Sequence, residues 1–270
     1  MQVYVSSWSY RTKFDDEGYD LVNFVDEVHA LGADGVEIYP KHIKGDDTLE
    51  ALRAMKKKVD SYGMGVASLI VANDFAKDTA AERAAEVAKM KDFIGYAKDI
   101  GVKNLNVFTG YHTKGNDPWI EVWRVVDGFR EVAPIAEEQG INLCLENHST
   151  VVSDADGLMK LISEIGSPAM KTNPDVSNFV PDAMIRDEKA REEIYRGTEM
   201  IAPLMANAHM KIGAFTEAGE HAFIDIPRML DIYRNVGYDG PIVLEIYGKP
   251  GTFPIEQTCR KGIELLRRYF

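Results

Sequence analysis

Strand-like and helix-like segments alternate along this chain from end to end, and that alternation predicts an α/β protein with a parallel sheet. Two further observations narrow it to a single (β/α)8 TIM barrel with its active site at the C-terminal ends of the strands. The 270-residue length suits eight βα units closed on themselves. No GxGxxG follows the first strand, so an open dinucleotide-binding sheet lacks its fingerprint. One barrel domain over residues 1–270 is expected, because no Pro/Gly/Ser-rich linker or low-complexity stretch interrupts the series.

The elements follow from local pattern. Residues 3–7 read as a strand, followed by a polar loop through Gly18. Residues 19–31 carry helical spacing in Leu21, Phe24, Val25, Val28 and Leu31, and Gly32 stops them. Strand 35–39 precedes helix 48–61, for which Thr48 is the expected cap. Strand 66–70 and the long helix 79–100 follow, then strand 104–108 and helix 119–139. Strand 141–145 alternates Ile141, Leu143 and Leu145 with polar partners and ends in Glu146, Asn147 and His148. Period two puts Glu146 and His148 on one side. Helix 154–165, strand 170–172, helical residues within 189–203, strand 205–210, helix 226–235, strand 242–246 and helix 255–269 complete the chain. Gly101, Gly140, Gly166 and Gly237 recur just after helices, as helix-to-strand turns require.

Composition excludes several classes. A net charge of −12 opposes a nucleic-acid partner and an anionic membrane surface. No run of about eighteen apolar residues is present to span a bilayer, and residues 1–10 lack a signal-peptide pattern. Cys144 and Cys259 are the two cysteines, which makes no disulfide framework and points to a reducing, cytoplasmic setting.

Active sites of such barrels lie at the carboxyl ends of the strands. Those ends offer Trp8, Glu37 with Tyr39, Asn106 with Tyr111 and His112, Glu146 with His148, Asp175 with Asn178, His209 with Lys211, and Glu245 with Tyr247. Glu146, Asp175, His209 and Glu245 are each separated by about one βα unit. Any one of them alone reads equally well as a salt bridge or a helix cap. Four on consecutive strands put three carboxylates and an imidazole at one rim. Carboxylates gathered there without a cation would repel until one protonates, and a divalent metal resolves that conflict. Oxygen donors with one imidazole suit Mn²⁺ best, with Mg²⁺, Co²⁺ and Zn²⁺ as alternatives.

The segments GVEIY (35–39), LENH (145–148), NPDVSN (173–178), NAHMK (207–211) and LEIYG (244–248) resemble the xylose isomerase-like TIM-barrel superfamily over essentially the whole chain. That group includes sugar phosphate isomerases and epimerases, ketose 3-epimerases, inosose dehydratases and the catalytic subunits of C-glycoside deglycosidases. The resemblance implies that Glu146, Asp175, His209 and Glu245 bind one divalent ion, with Glu146 and Glu245 also moving the proton. The chain departs from the ketose epimerases at three places. Asn178 stands where they carry a histidine, Lys211 stands near their sugar-contacting arginine, and His148 is not their pattern.

The expectation is a metal-dependent sugar or keto-sugar isomerase or epimerase working by proton abstraction beside a carbonyl through an enediolate. The alternative is a lyase on keto-sugars or cyclitols by β-elimination. Catalytic candidates are Glu146, Glu245, His148 as base and Lys211 as oxyanion partner. Substrate-binding candidates are Trp8, Glu37, His112, Asn178 and Tyr247, with Glu37 reading equally well as a structural group that orients a histidine or lysine. The expected partner is a small carbohydrate, with a homo-oligomer as the assembly and a hetero-oligomer with a second subunit as the alternative. The GKPG run, 248–251, carries only slight phosphate-loop character.

Overall fold

The computed structural model describes residues 1–16, 18–148, 150–247 and 254–270. The GKPG run and Phe253 lie outside the described residues. Eight parallel strands form a curled sheet in the order β6-β5-β4-β3-β2-β1-β8-β7, and eight α-helices alternate with them, which is the (β/α)8 barrel. The strands are β1 (Gln2–Ser6), β2 (Gly35–Ile38), β3 (Gly65–Ile70), β4 (Asn104–Val107), β5 (Asn142–Glu146), β6 (Met170–Asn173), β7 (His209–Ile212) and β8 (Pro241–Ile246). The helices are α1 (Leu21–Ala30), α2 (Thr48–Ser61), α3 (Ala80–Ile100), α4 (Pro118–Gln139), α5 (Ala155–Ile165), α6 (Glu188–Ile201), α7 (Ile226–Asn235) and α8 (Ile255–Arg267). None of the described helices is long and apolar enough to cross a membrane.

Acidic residues start most of these helices. The side chains of Asp20, Asp47, Asp117, Asp154, Asp187 and Asp225 each accept a backbone N–H of the first turn, and Thr79 does the same for α3. Part of the negative net charge is therefore spent on helix N-termini, where the dipole favours it. The cap of α2 is Asp47, not Thr48. The carboxylate reaches the Glu50 N–H at 2.9 Å, and Thr48 is already the first helical residue.

The chain forms two compact units. Unit 1, Met1–Leu69 with Ala208–Phe270, holds β1, β2, most of β3, β7, β8 and helices α1, α2, α7 and α8. Val3, Val5, Val36, Ile38, Ile242 and Leu244 are fully buried in it. Gly262 lets α8 settle onto β8, because a Cβ there would stand 2.7 Å from the Leu244 side chain. Leu244 thus faces the helices, and Glu245, one residue on, faces the opposite, inner side. On that inner face the Tyr4 ring lies over Gly35 and Gly65, packed with Ala67 and Val243.

Between β2 and β3 the register slips. Val36 pairs with Val66 but Ile38 pairs with Leu69, so Glu37 alone faces both Ala67 and Ser68. This is a β-bulge, two residues against one, which re-aims a side chain.

Unit 2, Ile70–Asn207, holds β4, β5, β6 and helices α3 to α6. Its strands pair Leu143 with Met170 and Glu146 with Asn173, and Asn106 with Cys144. Beyond the strand ends, two asparagine side chains take over the ladder. Asn73 exchanges two hydrogen bonds with the Phe108 backbone (2.8 and 2.9 Å). Asn147 does likewise with Asp175 (2.9 and 2.7 Å). An amide carries one donor and one acceptor group, as a peptide unit does, so it can extend the pairing where the strand stops.

The expected strand 205–210 is not one. The chain takes a 3-10 turn through Pro203, and Met205 makes a lone bridge to Thr172. Proline cannot donate to a ladder, and the β7 ladder begins only at His209. The polar segment after β1 is likewise not a plain loop. It forms two 3-10 turns that bury Tyr10 and Phe14.

Candidate functional site

In unit 1 the inner face carries a chain of polar side chains. Glu37 is fully buried and lies in register with Ser6. Its Oε1 accepts from Ser68 Oγ at 2.6 Å and stands 2.9 Å from His209 Nε2. The bulge is what brings the Ser68 hydroxyl there. Burial pushes the Glu37 carboxyl up, but the charge of His209 and the hydrogen bonds from His209, Ser68 and Ser6 outweigh it and hold the group below the ordinary carboxylate range.

The other imidazole nitrogen, His209 Nδ1, lies 3.5 Å from Glu245 Oε2. Glu245 Oε1 in turn pairs with Lys211 Nζ at 3.1 Å, as the register Lys211 to Glu245 requires. Lys211 also sits 5.3 Å over the Tyr247 ring, a cation–π distance. Unit 1 therefore brings together Glu37, His209, Lys211, Glu245 and Tyr247 of the residues singled out in the sequence. Trp8, about one-third exposed, packs edge-on against Tyr39 at 5.6 Å, with Arg11 over its ring.

His221, which received no role from the sequence, is tied to the same strand. Its Nδ1 accepts from the N–H groups of Phe223 and Ile224 (3.0 and 3.1 Å), so Nε2 holds the proton and donates to the Lys211 carbonyl at 3.0 Å. Burial pushes its pKa down, which keeps this ring neutral. It fastens the segment after β7 beside Lys211.

In unit 2, Glu146 and Asp175 are dressed by amides. Asn106 Nδ2 donates to Glu146 Oε2 at 2.7 Å. Asn178 Nδ2 is shared between Glu146 Oε1 at 3.1 Å and Asp175 Oδ2 at 3.0 Å. Asp175 Oδ1 also accepts the Ser177 N–H at 2.8 Å. Glu146 is 2% exposed and Asp175 is fully buried. The unit thus joins Glu146, Asp175 and Asn178.

His148 stacks on Phe108 at 4.5 Å and meets the edge of Tyr111 at 6.2 Å. His112 is held by Glu121, whose Oε2 is 2.5 Å from Nδ1. Glu121 is a fully buried carboxylate that also accepts from Thr113 N and Asn116 Nδ2.

Sequence reasoning missed Ser6, Ser68, Glu121 and His221, and it gave Asn106 no role. Ser6 had a signal, a hydroxyl at an inward position of an apolar strand. Ser68 had none, because strict alternation turns it away from Glu37.

Comparison with known proteins follows the fold. The family model described as a xylose isomerase-like TIM barrel matches residues 25–269. No curated protein matches the sequence. Among solved structures, D-psicose 3-epimerase from Clostridium cellulolyticum H10 with D-tagatose superposes with a TM-score of 0.79 at 15% identity, over 100% of this chain and 99% of that one. A D-psicose 3-epimerase in the presence of D-fructose gives 0.75 at 17% identity, over 100% and 99%. A 3-keto-D-glucoside 4-epimerase from E. coli, in its apo form, gives 0.76 at 13% identity, over 99% of each chain. At these identities the likeness shows the fold.

Proposed function

The chain belongs to the xylose isomerase-like TIM barrel family, and from that premise we propose that it is a divalent-metal-dependent isomerase or epimerase of a sugar or keto-sugar. Glu146, Asp175, His209 and Glu245 would hold the metal. The observation that carries the proposal is their burial: 2, 0, 1 and 5% exposed, on or just after β5, β6, β7 and β8. Ionisable groups are kept out of water at such cost only when paired or when they coordinate a cation. The donor set fits. Three carboxylates and one imidazole suit Mn²⁺, and Mg²⁺, Co²⁺ or Zn²⁺ after it.

When bound, a divalent ion supplies Lewis-acid polarisation of a substrate carbonyl. The chain's own residues do the rest. Glu146 and Glu245 divide the proton work, one taking the proton beside the carbonyl and the other returning it. Return to the opposite face of the same carbon epimerises, and return to the neighbouring carbon isomerises. Asn106 and Asn178 each fix one oxygen of Glu146, which orients the carboxylate. Lys211, paired with Glu245, is the cation available to a substrate oxyanion. His148, Trp8, His112 and Tyr247 would line the substrate side. Epimerases of ketoses and of a keto-glucoside among the structural neighbours support a keto-sugar.

The test is solvent-deuterium exchange into a panel of keto-sugars, followed by NMR in the presence of Mn²⁺, with elemental analysis of the purified protein. Exchange beside the carbonyl together with epimer or isomer formation is expected. Wild-type protein that takes up no divalent metal and washes in no deuterium overturns the assignment.

A further inference from the structure

We propose that Glu37 is a positioning residue for the metal centre, fixing the His209 ring so that Nδ1 rather than Nε2 is its ligand atom. The inference rests on the metal-binding reading above. It starts from hydrogen-bond polarity. A carboxylate can only accept, so the proton shared with His209 at 2.9 Å sits on Nε2. An imidazole that ligates a metal must be neutral and keeps one proton, and with that proton held on Nε2 the lone pair is on Nδ1. That nitrogen faces Glu245 Oε2 at 3.5 Å. The separation exceeds an ordinary N–H···O hydrogen bond. It is close to the spacing of two atoms each bonded at about 2.1 Å to one cation.

The neighbourhood of Glu37 is built for this task. Ser6 stands beside it in register, and Ser68 donates to the same oxygen that meets the imidazole. Ser68 reaches it only because the β2–β3 ladder slips, setting two residues against one at Glu37. An unbulged β3 would turn the hydroxyl to the helix side and leave a fully buried carboxylate with one donor fewer. The carboxylate–imidazole–metal arrangement fixes ring orientation and raises ligand basicity, and loss of such a partner costs about 10–100-fold in metal affinity. Glu37 therefore acts through His209, not on the substrate.

The experiment uses the full chain. Protein labelled with ¹⁵N at histidine and stripped of metal is examined by long-range ¹H–¹⁵N correlation. Once the ring is neutral, His209 is expected to keep its proton on Nε2, with Nδ1 in the unprotonated range. Zn²⁺ and Co²⁺ affinities are then measured by calorimetry for wild type, Glu37→Gln, Ser68→Ala and Glu121→Gln. Glu37→Gln keeps the size but offers an amide that can donate to Nε2, so affinity should fall 10–100-fold. Ser68→Ala should give a smaller loss. Glu121→Gln, in a second carboxylate–imidazole pair, should leave affinity unchanged. An Nδ1–H tautomer in wild type, or unchanged affinity in Glu37→Gln, overturns the proposal. Absence of metal binding in wild type refutes the functional reading instead, while the tautomer still tests the pairing. The wild-type spectrum needs no variant, so it decides the tautomer even if Glu37→Gln fails to fold.

Discussion

Glu37 and Glu245 of unit 1 are dressed differently from Glu146 and Asp175 of unit 2. In unit 1 the acids meet basic partners, Glu37 with His209 and Glu245 with Lys211. In unit 2, Glu146 and Asp175 take hydrogen bonds from Asn106, Asn178 and a backbone N–H. An amide donates a hydrogen bond but brings no charge. It orients an acid without neutralising it, whereas a lysine does both. The contrast assigns different duties. On the proposed metal-binding reading, unit 1 would set tautomer and charge, and unit 2 would present carboxylates to an added cation.

The largest test of that contrast removes the acids themselves. Glu146→Gln and Glu245→Gln should each lower kcat/KM about 10²–10⁴-fold and weaken metal binding. Full activity in either variant would sink the division of proton work. A second test adds the cation. At a hundredfold excess over its Kd, Mn²⁺ should stabilise the fold by about 2.7 kcal/mol. Urea unfolding with and without Mn²⁺ reads the difference, and no shift would deny unit 2 its duty.

Next in size is Asn178→Ala, which takes the shared N–H from both carboxylates. Metal-free protein should lose about 1–3 kcal/mol, because buried acceptors are left short of a donor. Added Mn²⁺ should recover most of the loss. A variant equally unstable with and without metal would show that Asn178 serves packing instead.

The smallest effect concerns a stacked histidine of unit 1, His42. His42 stacks on Phe14 at 4.2 Å, and burial pushes its pKa down to about 4. The unfolded chain takes up this proton first, so folded stability falls as pH drops from about 6.5 towards 4. His42→Phe should remove that part of the acid slope in urea midpoints between pH 7 and 5. An unchanged slope would place the acid sensitivity elsewhere.

Much of the candidate site was legible because each ligand-type residue ends or follows a short apolar run. Glu146 closes the alternating strand Asn142–Glu146, and Glu245 nearly closes Pro241–Ile246. Period-two alternation also set His209 and Lys211 on one face, and the β7–β8 register agrees with it. The start of β7 was misread, because Met205 and Met210 look apolar enough for one strand while Pro203 diverts the chain before it. The cap of α2 was misread by one residue, since Asp47 and Thr48 are both good capping types and only backbone geometry chooses between them.

The sequence by itself determined the alternation of strands and helices and the residue types offered at each strand end. These follow from periodicity and side-chain chemistry over a few residues. Tertiary structure decided the partners. A register slip between β2 and β3 aims Ser68 at Glu37, and residues far apart in the chain pair Glu37 with His209. Register and long-range contacts depend on how strands lie beside one another, which no local pattern encodes. For that reason the sequence left Glu37 open between a substrate contact and a group that orients a histidine or lysine, and the structure sets it against the His209 imidazole.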